Sequence, residues 1–177
     1  MLPPRGRPLQ SNLMDYLWSP WRFRYVSEVA RTDGCAFCEL VRRDPSHDRE
    51  SYILRRSRLN FVFLNLYPYT TGHVLVAPYA HVACLSDLDV ESLQEMVSLA
   101  RHVESALAVV YHAEGYNMGM NLGKCAGAGV ADHLHLHFLP RWVGDTNFMS
   151  VVSETRVLPE DLSVTYDKLA SFFQDAE

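Results

Sequence analysis

The stretch "DHLHLHFLPRW", residues 132 to 142, restricts the backbone around it more than any other part of the chain. Its histidines, His133, His135 and His137, alternate with Leu134, Leu136 and Phe138. Successive side chains of a β-strand point to opposite faces, so a strand gathers the three imidazoles on one face and lays the apolar residues on the other. A helix would scatter the same imidazoles over about 200°, in steps of roughly 100° per residue. The spacing therefore predicts a strand with a polar site on one side and a core on the other, and the chain must supply a sheet to receive it.

Material for that sheet is present. "SYILRR", "NFVFLNLYPY" and "TGHVLVAPYAHV" are rich in β-branched and aromatic residues and are punctuated by Pro68, Gly72 and Pro78, which reads as three strands. From Ser86 to Tyr111 the period changes. Leu93, Met96, Val97, Ala100, Val103, Leu107 and Val110 recur at three- and four-residue steps, as on an amphipathic helix, with Ser86 or Asp89 as candidate N-caps and Gly115 beyond its end. "YNMGMNLG" and "DHLHLHFLP" follow as two strands joined by the glycine-bearing loop "GKCAGAG", and Pro159 opens a C-terminal helix, "PEDLSVTYDKLASFF". Near the start, "MDYLWSPWRFRYVSEV" reads as an aromatic arm or short helix, and Cys35 to Arg42 as a short helix. The expected fold is α+β: a mainly antiparallel sheet of about five strands with one long central helix and a C-terminal helix.

Composition narrows the class of protein. With 48% hydrophobic and 21% charged residues over 177 positions, the chain has the make-up of one globular domain, expected over 13–177 behind a loose tail at 1–12. The formal charge of -5 and the lack of a long basic block exclude a nucleic-acid footprint. Arg55, Arg56 and Arg58 are expected in a solvated loop. No apolar run approaches the ~20 residues that span a bilayer, and "MLPPRGRPLQSN" lacks the apolar core of a secretory signal, so a cytoplasmic protein without membrane partners is expected. Cys35, Cys38, Cys84 and Cys125 are then expected as thiols or metal ligands, and only "CAFC" has a telling spacing. The polar "SEVARTDG" before it is unlike the buried strand that precedes a thioredoxin-type pair; zinc suits it better, although two cysteines make half a site.

Three imidazoles on one face admit three readings. Core histidines satisfied by hydrogen bonds would leave a costly row of buried polar groups, which favours a face turned to a ligand. A hydrolytic zinc bound by all three is strained, because alternate residues lie about 6.6 Å apart and metal–nitrogen bonds are near 2 Å. Nucleophilic attack on phosphorus by a neutral imidazole remains, and it requires one ring nitrogen fixed as donor to a carbonyl and the other aimed at the phosphorus. Backbone N–H groups between Lys124 and Gly129 and the amide of Asn121 are candidates to stabilise the developing charge.

"HLHLHFLP" resembles the signature of the histidine triad superfamily of nucleotidyl hydrolases and transferases. "NFVFLNLYPYTTGHVLVAPYAHV" looks like the superfamily's central strands. "YLWSPWRFRY", "NLYPY" and "PRWVGDTNF" are similar to the branch of bacterial diadenosine tetraphosphate phosphorylases, also called ATP adenylyltransferases. The resemblance implies His135 as the nucleophile that forms a covalent nucleotidyl-histidine, and His137 as the group that binds phosphate oxygens and assists the leaving group. It places Asn65 on the ribose and Asn121, Gly127, Ala128, Gly129 and Val130 around the phosphates, with His73 near the triad. Relatives often carry a hydroxyl residue shortly before the triad; here the loop reads "CAGAGVAD", leaving backbone N–H groups to serve. The resemblance also implies a structural zinc on Cys35, Cys38, His81 and His133, with His47 as a competing ligand, and no organic cofactor.

The implied activity is phosphorolysis of dinucleoside polyphosphates: His135 attacks the α-phosphorus, ADP or ATP leaves, and inorganic phosphate takes the AMP. In reverse it adenylylates ATP. Two rivals are a hydrolase of dinucleoside polyphosphates or nucleoside phosphoramidates with water as acceptor, and a nucleotide- or zinc-binding module without turnover. A homodimer through the long helix and a sheet edge is expected.

Overall fold

The structure, a computed structural model, describes residues 34–145 and 160–174. Five strands form one sheet there: β1 (Ile53–Arg56), β2 (Asn60–Leu64), β3 (Val74–Pro78), β4 (Gly115–Gly119) and β5 (Leu136–Arg141). Its order is β1-β2-β3-β5-β4, with every neighbouring pair antiparallel. The α+β architecture expected from the sequence is present. The N-terminal tail, the aromatic arm, Pro159 and residues 146–148 of "PRWVGDTNF" lie outside the described residues.

Alternation along the strands divides the interior in two. Leu54, Val62, Leu64, Val74, Val76, Leu136 and Phe138 face one side and pack with the long helix α2 (Val90–Tyr111) and the C-terminal α3 (Leu162–Gln174), through residues such as Met96, Val103, Leu107 and Leu169. Ile53, Phe61, Phe63, Leu75 and Ala77 face the other, where Phe37 of the short helix α1 (Ala36–Arg42) and Val130 cover them. Fully burying such a side chain is worth roughly 1.5–3 kcal/mol, so the α2 side carries most of the stability. The thinner α1 side is where a site can open.

Local chemistry sets the boundaries. Asp89, not Ser86, caps α2: its carboxylate accepts the Ser92 N–H at 2.7 Å, and Ser86 sits in a separate 3₁₀ turn at Leu85–Asp87. Gly72 has φ 75, and a Cβ there would meet Leu107 Cδ2 at 3.1 Å and Pro140 Cγ at 3.2 Å, so only glycine lets the chain pass under α2 into β3. Two expectations are corrected. Arg55 and Arg56 belong to β1 and not to a solvated loop; Arg56 is held against Asp48 and the end of α1, and only Arg58 is an exposed turn residue. The ladder of β5 begins at Leu136, so His133 and His135 precede it; the Leu134 N–H donates to Val82 O at 2.7 Å instead.

Candidate active site and metal centre

The alternation survives that correction. Leu134, Leu136 and Phe138 join the α2 side, while Phe37 packs edge-on against the rings of His133 at 5.5 Å and His135 at 5.1 Å. The three histidines then part company. His135 Nδ1–H donates to the His133 carbonyl at 2.9 Å, which leaves its Nε2 as the lone-pair nitrogen. Burial pushes His135 below the ordinary histidine range, against the smaller opposing pull of that carbonyl, so the ring is neutral near pH 7. A neutral imidazole with a fixed tautomer is the form that attacks phosphorus.

His137 belongs to a second chain of contacts. The Tyr69 N–H donates to His73 Nδ1 at 3.1 Å, so the His73 proton sits on Nε2 and is donated to His137 Nδ1 at 3.0 Å. His137 must then carry its own proton on Nε2, as a donor suited to phosphate oxygens. His73 is 1% exposed, and burial, followed by its neighbours His137 and His135, drives its pKa down to about 3. Asn65 holds the turn above it: its Oδ1 accepts the Tyr67 N–H at 3.0 Å and its Nδ2 lies 3.3 Å from His73 Nδ1. The Tyr69 ring stacks on His137 at 5.8 Å.

His135, His137, Asn65 and Tyr69 share a cleft of about 180 Å³, with His73 behind His137. The cleft is lined by His135, His137, Gly127 and Gly129, by Asn65, Tyr67 and Tyr69, and by Ala36, Phe37, Leu40, Phe63 and Ser51. Gly127 is in the left-handed region at φ 87, which closes the 3₁₀ turn Lys124–Ala126 with its N–H on Lys124 O. The lining therefore combines imidazoles, an amide and backbone groups with apolar side chains.

His133 turns away from the cleft towards α1. Its Nε2–H donates to Pro78 O at 2.9 Å, freeing Nδ1, which lies 3.2 Å from Cys35 Sγ and 3.6 Å from Cys38 Sγ. His81 Nδ1 lies 3.4 Å from Cys38 Sγ, and all four ligand atoms fall within 4.8 Å of one another. Tetrahedral zinc, with bonds of about 2.3 Å to sulfur and 2.0 Å to nitrogen, sets its ligand atoms about 3.3–3.8 Å apart. The donor set and spacing fit that ion. Burial raises the Cys35 thiol and lowers His133, leaving a neutral imidazole beside a thiol that a cation would deprotonate.

Most of the residues singled out from sequence converge here. His135, His137, Asn65, Gly127, Gly129 and Val130 line the cleft, and Cys35, Cys38, His81 and His133 form the metal-type group. Asn121, beyond the end of β4, and Ala128 are not among the lining residues. His47 is not a member of the metal-type group; it is exposed and paired with Glu50 Oε2 at 3.0 Å. Sequence reasoning missed the α1 wall, Ser51, Tyr69 and the link from His73 to His137. The "TGH" turn before β3 was the available signal for that link, since it sets His73 beside the strand that pairs with β5.

The model of the HIT domain family matches residues 47–143. "AP-4-A phosphorylase" of Mycobacterium tuberculosis (strain ATCC 25618 / H37Rv) is 34% identical over 178 residues, covering 92% of this chain and 86% of that protein. "Bis(5'-nucleosyl)-tetraphosphatase [asymmetrical]" of Schizosaccharomyces pombe is 32% identical over 123 residues, or 70% of this chain and 64% of that one. Among solved structures, a Zn-bound histidine triad family protein from Mycobacterium smegmatis superposes with a TM-score of 0.63 at 27% identity, covering 80% of this chain and 94% of that one.

Proposed function

The chain belongs to the HIT domain family, and from that premise we propose that it is a nucleotidyltransferase that cleaves diadenosine tetraphosphate by phosphorolysis. The observation that carries the reading is the tautomer of His135, whose Nδ1–H is held by the His133 carbonyl while Nε2 keeps its lone pair. Nε2 attacks the α-phosphorus, a nitrogen–phosphorus bond forms as the bridging P–O bond breaks, and ATP leaves with the bond electrons. The positive charge that develops on the ring is shared through Nδ1–H with the carbonyl. Inorganic phosphate then attacks the AMP-histidine, releasing ADP and restoring neutral His135; run backwards, the same steps adenylylate ATP. The Nε2–H of His137, aligned through His73, and the backbone at Gly127 and Gly129 would bind the phosphate oxygens, a role supported by their place in the lining of the cleft.

Cys35, Cys38, His81 and His133 would hold a zinc ion, which when bound supplies a closed tetrahedral clamp and no catalytic water. The clamp and the nucleophile are adjacent: the residue whose ring would ligate the metal also provides the carbonyl that fixes His135.

A second reading, with water as acceptor, is favoured by the likeness to an asymmetrical tetraphosphatase. Incubation with diadenosine tetraphosphate, with and without inorganic phosphate, separates the two. ADP formed only with phosphate supports phosphorolysis, and AMP plus ATP in plain buffer replaces it with hydrolysis. Homodimer assembly belongs to the same proposal, supported by exposed Val97 and Val109 on α2 and Met118 on the edge strand β4. So do a single domain over 13–177 and a cytoplasmic setting. No helix among the described residues is long and apolar enough to cross a membrane.

A further inference from the structure

The bond from His135 Nδ1–H to the His133 carbonyl fixes one atom of the nucleophile's ring. The χ2 torsion of a histidine is broad, so that bond alone lets the imidazole pivot and carry Nε2 off line. Ring contacts remove this freedom. The His137 ring lies 4.8 Å from that of His135 at 67°, and it is itself fixed by His73 and stacked on Tyr69. The other contact is Phe37, the buried residue of α1, whose ring meets His135 at 5.1 Å and 76°, His133 at 5.5 Å and 79°, and Phe63 at 5.1 Å and 69°. One phenyl ring thus bridges an imidazole of the metal-type group and the imidazole of the nucleophile.

Phe37 is only as firm as the helix that carries it. α1 has seven residues, short of the roughly 12–15 an isolated helix needs, and no side chain caps its first turn. Arg56 secures the far end at Val41 O. At the near end Cys35 and Cys38 flank Phe37 in "CAFC", and their sulfurs belong, with His81 and His133, to the group that fits zinc. We infer that Phe37 is a positioning residue for the nucleophile: carried between the two thiols, its ring holds the His135 imidazole in the attacking orientation and transmits the state of the metal group to it. The inference rests on His135 as the nucleophile and adds the element that aims it. It also gives the metal group a route to the cleft through side chains, beside the backbone route through the His133 carbonyl.

Phe37→Leu makes the test, because leucine keeps an apolar side chain in the cleft and loses the flat ring. In zinc-loaded protein with isotope-labelled histidine rings, the wild type should give one sharp set of His135 signals with the proton on Nδ1, assigned by their loss in His135→Asn. In Phe37→Leu those signals should broaden or split. Cleavage of diadenosine tetraphosphate should slow about 10- to 100-fold in kcat, with AMP affinity within about threefold and zinc content unchanged. Chelating the metal from the wild type should disturb the same signals, and chelation should add little to the disturbance already present in Phe37→Leu. Val41→Ala, which removes apolar packing from the same helix, should lower the melting temperature and leave the His135 signals and kcat near the wild type. If Val41→Ala slows turnover as much, the effect is general loosening of α1 and the role of Phe37 is overturned. Sharp, unshifted His135 signals with kcat within twofold of the wild type, in folded Phe37→Leu or in Phe37→Met should the leucine variant not fold, overturn it as well and leave the nucleotidyl-transfer reading standing. A wild type that cleaves no diadenosine tetraphosphate with or without phosphate overturns that reading instead, and the ring signals still decide whether Phe37 orders His135.

Discussion

Replacing Arg56 with methionine should loosen the cleft from the side opposite the metal group. Arg56 Nη1 donates to Val41 O at 2.8 Å and Nη2 to Arg43 O at 3.2 Å, so the guanidinium satisfies carbonyls at the C-terminal end of α1. It is itself fixed by Asp48, which accepts from Nε at 3.0 Å and from Nη2 at 2.8 Å. Methionine keeps the apolar stem and removes all of these bonds. Hydrogen bonds to a charged group are worth about 1.5–3 kcal/mol each, but they are not additive, and the Arg56 and Asp48 side chains are 21% and 22% exposed, which screens them partly. A loss of about 3 kcal/mol is expected, or a fall of roughly 6–12 °C in melting temperature for a chain of this size. Urea unfolding should show a lower midpoint with an unchanged slope. Because Ala36, Phe37 and Leu40 lie between the two attachments, AMP affinity should fall as well, while zinc content stays at the wild-type level. A destabilisation below about 0.5 kcal/mol would refute the idea that Arg56 anchors α1.

Three further outcomes follow from the site. His135→Asn should abolish product formation by chromatography while AMP affinity stays within about tenfold, since the amide cannot form the covalent intermediate; residual turnover above a few per cent would sink histidine attack. Cys35→Ser should lose the one zinc per chain expected by elemental analysis and lower both melting temperature and kcat, the latter about 10–100-fold, because the metal supports the His133 carbonyl that orients His135; full activity and stability without zinc would make the metal a bystander. For His73, the folded pKa of about 3 lies below an ordinary value of 6.5, so the unfolded chain takes up the extra proton and stability falls as pH drops through that window. The slope is at most about 1.4 kcal/mol per pH unit from this group. Chemical denaturation at pH 7, 6 and 5 should therefore show a flatter dependence in His73→Gln than in the wild type, and equal slopes would count against the buried neutral ring.

What could be read in the sequence depended on whether a position obeys a period. The alternation of 133 to 138 and the three- and four-residue steps of α2 have one backbone solution each, and both elements formed. Where side chains make demands of their own, period fails. The alternation extends past the hydrogen-bonded ladder, because Leu134 takes Val82 as its partner while the His133 ring turns to Pro78 and the cysteines. Arg56 looked like one member of a basic cluster, since nothing local announces that carbonyls thirteen and fifteen residues earlier will need a donor. Ser51 and Tyr69 are ordinary residues in ordinary segments, and only the packing of α1 and the turn after β2 brings them to the cleft.

The sheet order bears on how the protein can be born. β1, β2 and β3 pair in the sequence in which they leave the ribosome, but β4 has no partner in the sheet until β5, synthesised after it, slots between β4 and β3. Until then a nascent chain carries an open edge along Val74–Pro78, the kind of bare ladder that recruits other chains, and a slow non-local pairing must close it. The closing strand is also the one that brings in His137, directly behind His135. Completion of the sheet and assembly of the His135–His137 cleft are a single event, so a half-made chain lacks the site altogether.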